Sequence, residues 1–155
     1  MGSYQDHALD GASAVDLVVA LYDGIIRFLY SAMDAVDRGD QDHRRIAVKR
    51  ALDIIIHLQA RLRMDIGGRP AQALSEFYAS IFAQIMQASQ LASRQKFEHT
   101  IKCVRDVRDA WKQVAQDVNI EGSAQTSIGS ASRPQLNRGA SGSGSDETVA
   151  SRWTA

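Results

Sequence analysis

The stretch from Ser13 to Arg38, SAVDLVVALYDGIIRFLYSAMDAVDR, limits what this chain can build more than any other. At about 100° per residue, Val18, Leu21, Tyr22, Ile25, Leu29, Ala32 and Val36 form one apolar ridge. Leu17 and Phe28 widen it on one side; Val15, Val19, Ile26, Tyr30 and Met33 widen it on the other. The resulting arc covers roughly 220° of the helix, where burial on one side needs ~100–140°. Such a helix is either central in a bundle or keeps part of its surface for a partner.

Three further stripes follow it. Asp42 to Ile66 carries Val48, Ala51, Leu52, Ile55, Leu58, Leu62 and Ile66 at spacings of three and four. Gly67-Gly68 then supplies a stop, and Pro70 suits the first turn of the next helix. From Pro70 to Ala92 the stripe is Leu74, Phe77, Tyr78, Ile81, Ile85 and Ala88, and Glu76 is the only charge. Solvated helix faces usually carry Lys and Glu, so this uncharged face, with Phe82 and Met86 just off the stripe, suggests intermittent cover by another surface. Ser93 caps a fourth helix from Arg94 to Val118, with the seam Phe97, Ile101, Val104, Val107, Trp111, Val114 and Val118. The fold expected is all-α, an antiparallel up-and-down four-helix bundle over 13–118.

The two ends read differently. Residues 1–12 are polar and read as a flexible lead, with Ser13 capping the first helix. Residues 119–155 hold eight serines and five glycines, and their few apolar groups are too scattered to offset the ordering cost of the backbone. A disordered Gly/Ser-rich tail is expected there.

Charge and composition exclude more than they assign. Lys plus Arg equals Asp plus Glu at 18 each, so net charge favours neither nucleic acid nor an anionic membrane as a partner. The one cysteine, Cys103, fits a reducing compartment and reads as a small core hydrophobe. No secretory signal is visible, and the longest apolar run, Leu17 to Tyr22, is far short of the ~20 residues of a membrane span. A cytosolic location and no membrane insertion are expected.

Bundle metal sites use inward carboxylates and an E-x-x-H spacing. That spacing is absent and there are only four glutamates, so neither a metal nor a cofactor is expected. His57, followed by LQAR, is a poor phosphotransfer histidine, and Gly67-Gly68 follows a helix rather than a strand, unlike a phosphate loop. The basic side of the second helix, with Arg44, Arg45, Lys49, Arg50, Arg61 and Arg63, lacks interleaved aromatics and is broken by Asp42, Asp53 and Asp65. It reads as a solvated face or as the acid-complementary side of a protein partner. No catalytic residue stands out, and an enzyme is not expected.

Several spaced pieces together resemble one family. They are Gly11-Ala12-Ser13, Leu21-Tyr22-Asp23-Gly24, Gly39-Asp40, Ala51 with Ile54-Ile55, Leu58 and Leu62, Gly67-Gly68, Leu74 with Phe77-Tyr78, and Ala110-Trp111. In this order and spacing, from Tyr4 to Trp111, the chain resembles the flagellin-specific export chaperones, the FliS family. It departs from their pattern at Ala14, where proline is usual, and in its longer tail. The resemblance implies a cytosolic chaperone, without catalysis, that binds the C-terminal segment of newly made flagellin. It would block premature polymerisation and deliver the client to a component of the flagellar export gate.

The surplus apolar residues then supply the client-binding surface: Val19, Ile26, Tyr30 and Met33 on the first helix, and Phe82 and Met86 on the third. The family's N-terminal lead can lie over the empty site, which gives Tyr4 that part. A client-binding monomer is expected. The alternative is a helical adaptor that uses the same surface to form a homodimer.

Overall fold

The computed structural model describes residues 3–128, with side chains from Ala14 to Ala124. Four helices follow one another: α1 (Ser3–Asp37), α2 (Gln41–Ala60), α3 (Gly68–Gln90) and α4 (Arg94–Ile128). Among the described residues there is no strand. The connectors are too short to let a helix return to its starting end, so each helix runs antiparallel to the one before it. α1 packs on α2 and α4, and α3 closes the ring by packing on the same two. The all-α, four-helix antiparallel bundle expected from the stripes is the observed fold.

The core is the sum of those stripes. Tyr22, Ile25, Leu29 and Ala32 of α1, Val48, Ala51, Ile55 and Leu58 of α2, Tyr78, Ile81, Ile85 and Ala88 of α3, and Phe97, Ile101 and Val104 of α4 are buried together. At the level of Tyr22 three consecutive residues of α1 reach three different helices. The Tyr22 and Tyr78 hydroxyls share a hydrogen bond of 3.0 Å, joining α1 to α3 across the core. Arg108 Nη1 of α4 donates to Asp23 Oδ1 at 2.8 Å. A Cβ at Gly24 would stand 3.1 Å from Ile54 Cδ1 of α2. The short motif Tyr-Asp-Gly thus registers α1 against the rest of the bundle, and Gly24 permits a close helix approach rather than a break.

Helix ends follow local chemistry. Asp40 caps α2, accepting from the His43 amide at 3.0 Å; that bond and the His43 ring hold its carboxyl below the usual range. Ser93 caps α4 as expected, its Oγ accepting from the Lys96 amide at 3.2 Å. Before α3 the chain folds tightly on itself. A Cβ at Gly67 would fall 2.5 Å from both Ala71 Cβ and the Arg63 carbonyl oxygen, so only glycine fits.

Three expectations about element bounds, and one about the register of the last seam, need correction. α1 begins at Ser3, so Ser13 is an interior residue and not an N-cap, and the helical backbone includes most of the 1–12 lead. α2 ends at Ala60 rather than Ile66. The Arg63 guanidinium grips Asp65 through two bonds of 3.1 and 2.9 Å, which stabilises a turn, and Ile66 is left 74% exposed instead of in the core. α4 continues to Ile128, past the Val118 limit expected for it. Its seam also drifts, because 3.6 residues per turn do not match a repeat of seven: Ala115 is buried where Val114 was expected and Val114 is 43% exposed. The remainder of the expected tail, from residue 129 on, lies outside the described residues.

Candidate functional site: the α2–α3 groove

α2 and α3 do not meet along their full outer edges. Between them lies a groove of about 510 Å³ walled by Ile55, Ile56, Gln59 and Ala60 of α2 and Ser75, Tyr78, Ala79 and Phe82 of α3. A second depression of about 340 Å³ continues it toward the start of α2, lined by Arg45, Val48, Lys49, Leu52, Asp53 and Ile56 with Phe82, Met86 and Ser89. Ile56 and Phe82 belong to both, so the two form one trough. From Arg45 to Gln59 it runs about 21 Å, the length of four helical turns.

The trough exists because of how the side chains are spaced. Ile54, Ile55 and Ile56 are consecutive, and 100° steps cannot put all three on one face. Ile54 packs toward α1 at Gly24, Ile55 enters the core, and Ile56 is left on the outer edge, 54% exposed. On α3, Tyr78 and Ile81 fill the core while Phe82 and Met86, a turn apart, line the outside; Met86 is 39% exposed. The alanines Ala60 and Ala79 are too short to fill the space between the helices.

The floor offers water little to hold. Gln59 Nε2 donates to Ser75 Oγ at 2.8 Å, tying the two lips together at one end. The Tyr78 hydroxyl is taken by Tyr22, so Tyr78 shows the trough chiefly its ring. Burial pushes the Tyr78 phenol well above its ordinary range and the Tyr22 hydroxyl bond adds to this. Burial likewise raises Tyr22. Both are neutral hydroxyls at any physiological pH. A poorly hydrated apolar trough of this length fits one face of an amphipathic helix.

The six expected client residues with described side chains divide into two sets. Phe82 and Met86 line the trough. The α1 set lies elsewhere, on the side of α4, as the bond from Arg105 Nη2 to the Tyr30 hydroxyl shows. In that set Ile26 and Met33 are core residues, each 7% exposed, because α4 lies over them. Val19 is half-buried and Tyr30 is exposed. The wide arc of α1 therefore marks a helix covered from two sides. The Tyr4 side chain lies outside the described residues. Ile56, Ala60 and Ala79 were missed, although the triple isoleucine was a signal for the first of them.

Other chemistry looked for in the sequence has these settings. Among the described residues no group of three His, Cys, Asp or Glu could hold a metal, and no helix is long and apolar enough to cross a membrane. Cys103 is packed against the core, and His99, one turn before it, places Nε2 3.7 Å from Sγ.

Comparison with known proteins decides the family. The profile of the family described as "Flagellar protein FliS" matches residues 1–118. This chain belongs to the FliS family. The match covers all of α1, α2 and α3 and most of α4. A FliS protein of Vibrio cholerae is 30% identical over 123 residues, 79% of this chain and 90% of the relative. Another from Salmonella typhimurium is 29% identical over 117 residues, 75% of this chain and 87% of the relative. A third from Bacillus subtilis is 25% identical over 114 residues. All three are named flagellar secretion chaperone FliS. In this FliS chain the family-like Tyr22-Asp23-Gly24 sets α1 against the other three helices, and Tyr22 reaches Tyr78, whose ring lines the trough.

Proposed function

We propose that this chain is a flagellar secretion chaperone that holds the C-terminal segment of newly made flagellin in the α2–α3 trough. The observation that carries this reading is the trough itself: four turns lined largely by apolar side chains, with Ile56 and Met86 exposed along its walls. A chain end that builds a filament is amphipathic and must be kept apart until export. Folding it onto a preformed surface buries its apolar face and costs it its freedom. No bond is made or broken, so the work is binding and release, and no catalytic group is needed.

In this reading the chain is a monomer in the bacterial cytosol that binds one client, and the complex docks on a component of the flagellar export gate. Calorimetry and size-exclusion chromatography with flagellin test the binding step. A one-to-one complex with a negative heat-capacity change is expected, since apolar area leaves water. Flagellin cut short before its C-terminal segment should give neither heat nor complex. Equal binding of both forms would place the client contact elsewhere.

A further inference from the structure

The trough is chemically lopsided, and this bears on how a client lies in it. The half around Gln59 and Ser75 carries no ionic side chain. The other half is lined by Arg45, Lys49 and Asp53. Lys49 Nζ donates to Asp53 Oδ2 at 2.8 Å and is paired there. Arg45 has no carboxylate within ion-pair distance among the described residues, although Asp42 is one turn before it.

The facing lip of α3 offers no countercharge there, only Phe82, Met86 and Ser89. The single acid of α3, Glu76, is near the opposite end and accepts from Gln72 at 3.4 Å. Arg61 and Arg69 lie outside the lining. One end of an otherwise apolar trough thus presents an unpaired guanidinium.

A helix laid in the trough has its own polarity. Its C-terminal end carries the negative end of the peptide dipole, together with any acidic side chain or terminal carboxylate in the last turn. We propose that the trough accepts its client helix in one direction, antiparallel to α2, with a carboxylate-bearing C-terminal turn over Arg45. This rests on the reading of the trough as the client site and adds a direction to it. Arg45 is a positioning residue in this account, while Ile56, Phe82 and Met86 supply the apolar contact.

Two labelled synthetic peptides of about 15 residues, one trough length, test the direction on the full chain by fluorescence anisotropy. Both carry the same leucine face; one has a glutamate pair and a free carboxylate in its last turn, the other the pair in its first turn and an amidated end. Helix propensity differs between them, so the quantity to compare is the ratio of their affinities in the parent chain and in Arg45→Gln. The ratio should fall about two- to fivefold, toward the first-turn peptide, when Arg45 is replaced, as expected of one exposed charge pair. A nitroxide on a solvent-facing cysteine in the last turn of that peptide, with its terminal carboxylate left free, should broaden the Met86 methyl more than that of Ala60. An unchanged ratio, or broadening at Ala60 instead, overturns the direction and leaves the trough as the client site. If neither peptide binds, the client-site reading fails and the direction fails with it.

Discussion

The hydroxyls of Tyr22 and Tyr78 meet at 3.0 Å in the middle of the bundle, the point at which α1 and α3 touch across the core. The Tyr22 hydroxyl donates to that of Tyr78, and the two rings stand 6.3 Å apart at a tilt of 56°. Removing the Tyr22 hydroxyl leaves Tyr78 buried without its bond, whereas removing the Tyr78 hydroxyl leaves Tyr22 with Trp111 alone. Tyr22→Phe and Tyr78→Phe should each cost about 1–2 kcal/mol in urea unfolding, and the double variant less than their sum. Fully additive losses would mean that the pair is not coupled.

The same pair sets an alkaline limit. Burial raises both phenols in the folded state above the ordinary 10.0. The folded chain therefore holds these protons more tightly than the unfolded chain does. Their contribution to stability is complete below pH 10 and is lost as pH rises beyond it. The melting temperature should be level through neutral pH and fall above pH 10, with a shallower fall in the double phenylalanine variant.

Gly24 lies against α2, and the end of the Ile54 side chain limits the space there. Gly24→Val adds branched atoms where the two helices are in contact and should destabilise the fold by about 1–3 kcal/mol in a denaturant melt. Gly24→Ala should be far milder. Its methyl has to move only a side-chain tip at 3.1 Å, and alanine recovers up to about 1 kcal/mol of helix propensity.

Core and trough residues separate when stability and binding are measured together. Ile26→Asp puts a charge among the buried groups beneath α4 and should unfold the chain or cost more than about 3 kcal/mol. Ile56→Asp changes an exposed wall residue and should leave the melting temperature within a few degrees. Its affinity for flagellin should drop about tenfold or more. Loss of stability in Ile56→Asp equal to that in Ile26→Asp would make Ile56 a core residue.

The order of the four helices and the identity of most core residues were legible in the sequence, because stripes such as Ile81-Ile85-Ala88 have only one buried solution. The width of the α1 arc was legible as well, but not its meaning. A helix covered on two flanks and a helix that saves a flank for a client have the same composition, and Ile26 and Met33 proved to be covered. The trough was half legible. Phe82 and Met86 stood out on an uncharged helix, whereas Ile56 was hidden among the charged residues of α2, and only the spacing of three isoleucines required one of them to face outward. The α2 terminus at Ala60 was obscured by an apolar stripe that continued to Ile66 through a turn held by Arg63 and Asp65.

The location of the client is best measured by methyl NMR of the full chain, titrated with the C-terminal peptide of flagellin. The largest changes should fall on Ile56, Met86 and Ala79, with Leu17 and Val114, exposed on α1 and α4, left nearly unmoved. Changes gathered at Leu17 and Val114, with Ile56 and Met86 silent, would contradict the assignment of the α2–α3 trough as the client site.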